Sequence, residues 1–201
     1  MFRIVTTLII AMASITAQAE PNIAHGKELS AVCAACHGTD GNSAAGAFPS
    51  IAGQGQKYLV KQLVDIKVGN RAAMLMTGIL DNYTDQDMQD VAGYFASQTP
   101  KGGAADAELV DLGESIYRGG IARKSVAACT SCHSPTGQGN NAAAFPMLAG
   151  QWPEYTEAQL KLFRSGTRHN DGDGRMMRLT AMDLSDKEIA AVASYVRGLQ
   201  K

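Results

Sequence analysis

The sequence is sparing with cysteine and with aromatic residues. Its 201 residues hold four cysteines, one tryptophan and only 6% aromatic side chains. Four cysteines are too few to act as the main scaffold of a chain this long. A core made largely of alanine and short aliphatic side chains is shallow unless something bulky fills it. Excess charge is also lacking: 18 Lys and Arg stand against 19 Asp and Glu, a formal net charge of −1. The basic footprint of a nucleic-acid-binding protein is therefore absent, and no nucleic acid is expected as a partner. No segment shows the strict alternation of a half-buried strand. After residue 19 no apolar run is long enough to cross a bilayer. The first nineteen residues differ. Arg3 precedes an apolar stretch from Ile4 to Ala13, and Ala17 and Ala19 present small side chains at a cleavage position. This pattern predicts a signal peptide over residues 1–19, cleavage before Glu20, and export to the periplasm.

All four cysteines lie in two short stretches, CAACH from Cys33 to His37 and CTSCH from Cys129 to His133. Cys-x-x-Cys-His is the attachment signature of a c-type haem. Two thiols add across the two vinyl groups of the porphyrin, and two intervening residues on a helical turn set both sulfurs along one edge. The following histidine then sits under the iron. Structural zinc would require the two pairs to be much closer in sequence. A thioredoxin-like disulfide would require a βαβ pattern around each pair. Neither explains a histidine in the fifth position twice. The expectation is two covalently bound haem c groups, held by Cys33, Cys36, Cys129 and Cys132, with His37 and His133 as iron ligands.

The device belongs to a longer internal repeat. FPSIAGQGQKYLVKQL (Phe48 to Leu63) matches FPMLAGQWPEYTEAQL (Phe145 to Leu160) at an offset of 97, and Gly69 and Arg71 match Gly166 and Arg168. YTDQDMQDVAGYF (Tyr83 to Phe95) matches LSDKEIAAVASYV (Leu184 to Val196) at an offset of 101, so the second copy carries four extra residues around HNDGDG. Between the copies, QTPKGGAAD reads as a flexible connection. Two domains follow, residues 20–100 and 101–201. The first holds five basic and eight acidic residues and the second twelve and eleven, net charges of −3 and +1. Added positive charge is therefore better tolerated in the first, which predicts the lower haem potential there.

Both domains read as all-α. Leu29, Val32, Cys33 and Cys36 share one helical face, and Leu59, Leu63 and Ile66 mark a second helix. Thr84 with Asp87, and Ser185 with Glu188, form capping-box patterns ahead of the last helix of each copy. The glycine- and proline-rich stretches between helices are long enough to wrap a bound group.

Each iron needs a sixth ligand. His25 and His169 have no histidine at the matching repeat position. Among the methionines only Met76 and Met177 pair at the offset of 101, with Met74 and Met176 as neighbours in case of a register error. His/Met ligation leaves no open coordination position and favours ferrous iron. The carbonyl of Pro49 or Pro146, a dozen residues past each histidine, stands where it would accept the imidazole Nδ1–H. Alternatively, each Phe-Pro pair simply packs on the ring.

The motifs CAACHGTDGNS, FPSIAGQGQKYL, MTGIL, CTSCHSPTGQG, FPMLAGQ and NDGDGRMM together resemble a known family. Each half is similar to a class I cytochrome c, and the tandem resembles the dihaem cytochrome c4 family over nearly all of residues 20–201. The resemblance implies an all-α pair of tandem cytochrome c domains. It implies Cys33, Cys36, His37 and Met76 at one haem, and Cys129, Cys132, His133 and Met177 at the other. It also implies haem edges that face each other across the domain interface. The expected function is that of an electron carrier, not an enzyme. It would pass single electrons from a respiratory donor to a terminal oxidase, as a monomer or weak dimer. The competing readings are a dihaem peroxidase and a cytochrome subunit of a membrane complex.

Overall fold

A computed structural model describes residues 20–199 of the protein. The expected signal segment lies outside the described residues. Every regular element within them is a helix, accompanied by two isolated β-bridges, Ile121–Val126 and Asn140–Phe145. No described helix is long and apolar enough to cross a membrane.

The first half runs α1 (Ile23–Leu29), a 3₁₀ turn (Ser30–Val32), α2 (Ala34–His37), α3 (Gln56–Lys67), a 3₁₀ turn (Met74–Met76) and α4 (Asp85–Ala96). The second half repeats this plan with α5 (Val110–Gly119), a 3₁₀ turn (Ala122–Lys124), α6 (Thr130–His133), α7 (Pro153–Arg164), α8 (Met176–Ala181) and α9 (Asp186–Gly198). Both capping boxes form. The Thr84 hydroxyl accepts from Asp87 N at 3.1 Å while the Asp87 carboxylate accepts from Thr84 N at 2.8 Å. Ser185 and Glu188 exchange the same pair of bonds at 3.3 and 2.7 Å.

In each half the first helix crosses the last at close range, α1 on α4 and α5 on α9. Glycine makes the approach possible. A Cβ at Gly26 would lie 2.0 Å from the carbonyl oxygen of Asp90, and one at Gly113 would lie 2.3 Å from that of Ala191. Each crossing leads into its own apolar core. Leu59, Val91, Ala92 and Phe95 fill the first, and Ile116, Tyr117, Ile189, Val192 and Val196 the second. Val32 borders the same cavity as Cys33 and Cys36, and the 3₁₀ turn over Ser30–Val32 keeps it on the face of Leu29, because residues three apart eclipse in that geometry.

Glu188 ties the second half together. Its carboxylate accepts from Lys124 Nζ at 2.6 Å as well as from the Ser185 backbone. The Lys124 ammonium first, and then the Ser185 N–H, hold its pKa down at about 2 against a usual 4.5. A depressed carboxylate stabilises the fold fully above its unfolded pKa and loses that contribution as pH falls. The window here runs from about 4.5 to about 2. Glu188→Gln should therefore cost about 1 kcal/mol at pH 7, the usual value of a lost cap, and should flatten the acid limb of the stability profile. Thermal melts at steps through that window measure both effects.

Candidate functional site

The two CxxCH stretches occupy equivalent places. Cys33 and Cys129 stand as N-caps of α2 and α6, and His37 and His133 end those helices. One cavity of about 690 Å³ runs through both halves, bordered by all four cysteines, both histidines, Met76 and Met177. No disulfide joins the four cysteines.

Each histidine is oriented by a prolyl carbonyl. His37 Nδ1 lies 2.9 Å from Pro49 O, and His133 Nδ1 lies 2.9 Å from Pro146 O. A carbonyl only accepts, so each ring is the Nδ1–H tautomer, with the Nε2 lone pair left for a ligand. Burial lowers both histidine pKa values, against the raising effect of these bonds. The phenylalanine before each proline also packs on its histidine, ring centroids 6.5 Å apart for Phe48 and 6.4 Å for Phe145. Both readings of the Phe-Pro pair therefore hold at once.

Met74, Met76, Met176 and Met177 all border the cavity. Met76 and Met177 are partly buried, whereas Met74 is 90% exposed and Met176 50%. The four extra residues of the second copy shape the Met177 loop. Asp171 accepts from Arg178 N at 2.9 Å and Arg178 Nε at 2.6 Å, pinning the loop to the residue after Met177. Met88 and Met147 are buried. His25 bonds Asp90 at 2.8 Å, and His169 lies beside Thr167 O.

Between the halves lies a polar interface whose role the repeat does not announce. Gln54 Oε1 accepts from Met147 N at 2.7 Å, and Gln54 Nε2 donates to Met147 O at 3.0 Å. The counterpart at offset 97 does the reverse: Gln151 Oε1 accepts from Ser50 N at 2.9 Å, and Gln151 Nε2 donates to Ser50 O at 2.8 Å. Arg71 donates to Tyr155 and Gln159 of the second half. Arg168 donates to Tyr58 and Gln62 of the first. The interface is thus isologous within one chain, each half presenting the same patch to the other. The signal was present in the sequence as Gln, Tyr, Gln and Arg recurring at one offset, but that pattern alone does not say what they touch.

Other cross-domain contacts have no counterpart in the repeat. Among them, Asn170 donates to Asp65 at 2.7 Å, Lys61 donates to Asn170 O at 2.7 Å, Lys57 N donates to Asn141 Oδ1 at 3.1 Å, and Trp152 Nε1 donates to Ser43 O at 3.0 Å. Arg168 is buried and Arg71 partly buried, and neither meets a carboxylate in an ion pair among the described residues. Burial would raise the Tyr58 pKa, but the Arg168 and Arg71 charges beside it outweigh that and lower it.

The donor set suits a covalent haem in each half. Neighbouring thiols match two vinyl groups, an oriented imidazole and a thioether match an iron, and the walls are mostly apolar. The two guanidiniums suit the carboxylates that a haem carries.

The cytochrome c family model matches residues 23–99 and 121–200. The chain is 52% identical over 192 residues to cytochrome c4 of Azotobacter vinelandii, covering 91% of each chain. It is 38% identical to a thiosulfate dehydrogenase electron acceptor of Stutzerimonas stutzeri, over 81% of this chain and 76% of the relative. Its fold superposes on the crystal structure of reduced recombinant cytochrome c4 from Pseudomonas stutzeri with a TM-score of 0.88 at 48% identity. That match covers 90% of this chain and all of the other.

Proposed function

The chain belongs to the cytochrome c family, in its two-domain cytochrome c4 form, and from that premise we propose that it passes single electrons through the periplasm to a respiratory terminal oxidase. As in that family, two covalent haem c groups supply the one-electron iron couples. We assign the thioether bonds to Cys33, Cys36, Cys129 and Cys132. We assign axial ligation to His37 with Met76 and to His133 with Met177. The observation that carries this reading is the matched pair of histidines. Each is locked by a prolyl carbonyl with Nε2 free, beside a cavity that a partly buried methionine also borders. Two ligands per iron leave no position for a peroxide, which favours a carrier over a peroxidase. Arg71 and Arg168 stand where they would face haem carboxylates between the halves, so the two groups would approach each other at the interface. The self-complementary patch is already used within the chain, which favours a monomer.

A second reading concerns the donor. The likeness to the thiosulfate dehydrogenase electron acceptor supports reduction by an enzyme of that kind. One experiment separates the possibilities. The exported protein should exceed the mass of its polypeptide by two haems and keep its colour through acid–acetone extraction. Once reduced, it should be reoxidised by oxidase-containing membranes. Reduction by thiosulfate plus its dehydrogenase would add the donor. A single haem or an extractable one overturns the cofactor assignment, and inert membranes overturn the oxidase.

A further inference from the structure

The two cross-domain glutamine clamps do not end on arbitrary backbone. Ser50 N, which donates to Gln151 Oε1, belongs to the same peptide unit as Pro49 O, which accepts from His37 Nδ1. Met147 N, which donates to Gln54 Oε1, shares its peptide with Pro146 O, which accepts from His133 Nδ1. Each chain of bonds therefore runs from the side-chain amide of one half, through one peptide of the other, to the imidazole assigned to that other half's iron. All four bonds measure between 2.7 and 2.9 Å.

We propose that Gln151 and Gln54 are positioning residues that set the haem potentials crosswise, Gln151 acting on the first haem through His37 and Gln54 on the second through His133. The proposal rests on the haem ligation given above. Resonance couples the two ends of a peptide. Drawing its N–H into a hydrogen bond moves electron density onto its carbonyl oxygen, and successive bonds in a chain strengthen one another. The carbonyl then pulls harder on Nδ1–H, and the imidazole becomes a stronger donor at Nε2. A stronger donor favours ferric iron and lowers the potential. Each iron gains or loses one electron while the proton stays on Nδ1, so no further reactant enters.

The geometry is built for this. Both glutamines are buried, at 4% and 8% exposure. The backbone fixes their amide orientation, since the oxygen faces an N–H and the nitrogen faces a carbonyl. Each amide oxygen also accepts from the residue that follows it, Gly55 N at 2.9 Å and Trp152 N at 3.0 Å. The side chain is thereby held whether or not the other half moves. Docking of the two halves thus becomes a term in both potentials.

The test uses the full-length holoprotein and follows each haem separately. Haem methyl resonances, assigned by Overhauser contacts to residues of each half, are tracked through a redox titration. Gln151→Asn withdraws the amide by one methylene and keeps the site polar. It should change the ferric-to-ferrous ratio of the first haem about threefold in favour of ferrous iron, about 28 mV at the one-electron constant of 59 mV per decade, and leave the second haem in place. Gln54→Asn should do the reverse. The Nδ1 proton of the affected histidine should exchange faster with solvent. Trp152→Phe removes a different cross-domain bond and should move neither haem. A shift on the haem of the mutated half, an equal shift on both, or the same shift from Trp152→Phe overturns the crosswise relay. Failure of the ligand assignment itself would look different, as a wrong haem count or a missing methionine–iron band in the unmutated protein.

Discussion

Met177→His will lower the potential of the second haem by on the order of 0.2 V, a fraction of the roughly 0.8 V over which axial ligands set haem potentials. Met76→His will do the same to the first. The thioether is a soft ligand that favours ferrous iron, whereas a second imidazole favours ferric iron. At 59 mV per decade, a drop of that size shifts the ferric preference by about three powers of ten. Such a protein would hold that haem oxidised under conditions that reduce the other, and electron passage through the pair would slow there. Two readouts check it together. A redox titration gives the potentials, and the weak red charge-transfer band of methionine–iron bonds in the ferric protein should fall by half in each variant. Met74→His and Met176→His serve as controls. The repeat pairs Met76 with Met177 and gives neither neighbour a methionine partner, so these two variants should leave both readouts unchanged. A full loss of one share in Met74→His would move the assignment by two residues.

Arg168→Ala should be the most destabilising of the interface variants. Arg168 is 7% exposed, and its guanidinium donates to Gln159 at 2.7 Å, Gln62 at 3.0 Å, Asn170 at 3.1 Å and Tyr58 at 3.2 Å. Truncation removes a charged donor and strands acceptors in both halves. The balance for a buried, hydrogen-bonded charge is a loss of about 3 kcal/mol. For a chain of this size that corresponds to roughly 6–12 °C in melting temperature. Arg168→Lys should recover less than half, because an ammonium has no planar fork to reach four acceptors. Arg71→Ala should cost less, since Arg71 is only partly buried and makes three such bonds. Urea melts of the holoprotein check the series. A change below about 1 kcal/mol for Arg168→Ala, the range of a single weak bond, would mean that the network contributes little to stability.

The features legible in the sequence share one property: their physics is local or is copied. CxxCH spacing is set by the covalent chemistry of one haem edge, and it reads within five residues. The capping boxes read within four, and both formed as expected. The match of Met76 to Met177 needed only two copies of one unit compared with each other. The same comparison placed the four-residue insertion, whose Asp171 now anchors the Met177 loop.

Tertiary structure decided what the recurring Gln, Tyr and Arg residues do. Gln54 and Met147 lie 93 positions apart, and Gln151 and Ser50 lie 101 apart. A constant offset of 97 says that both halves carry the same patch. It does not say that the patches face each other, because that depends on how two folded bodies dock. The sequence alone therefore determined the cofactor chemistry and the two-domain plan, which follow from short spacings and from repetition. The coupling of the domains required the fold, because hydrogen bonds between residues about a hundred positions apart exist only once both surfaces are formed and packed.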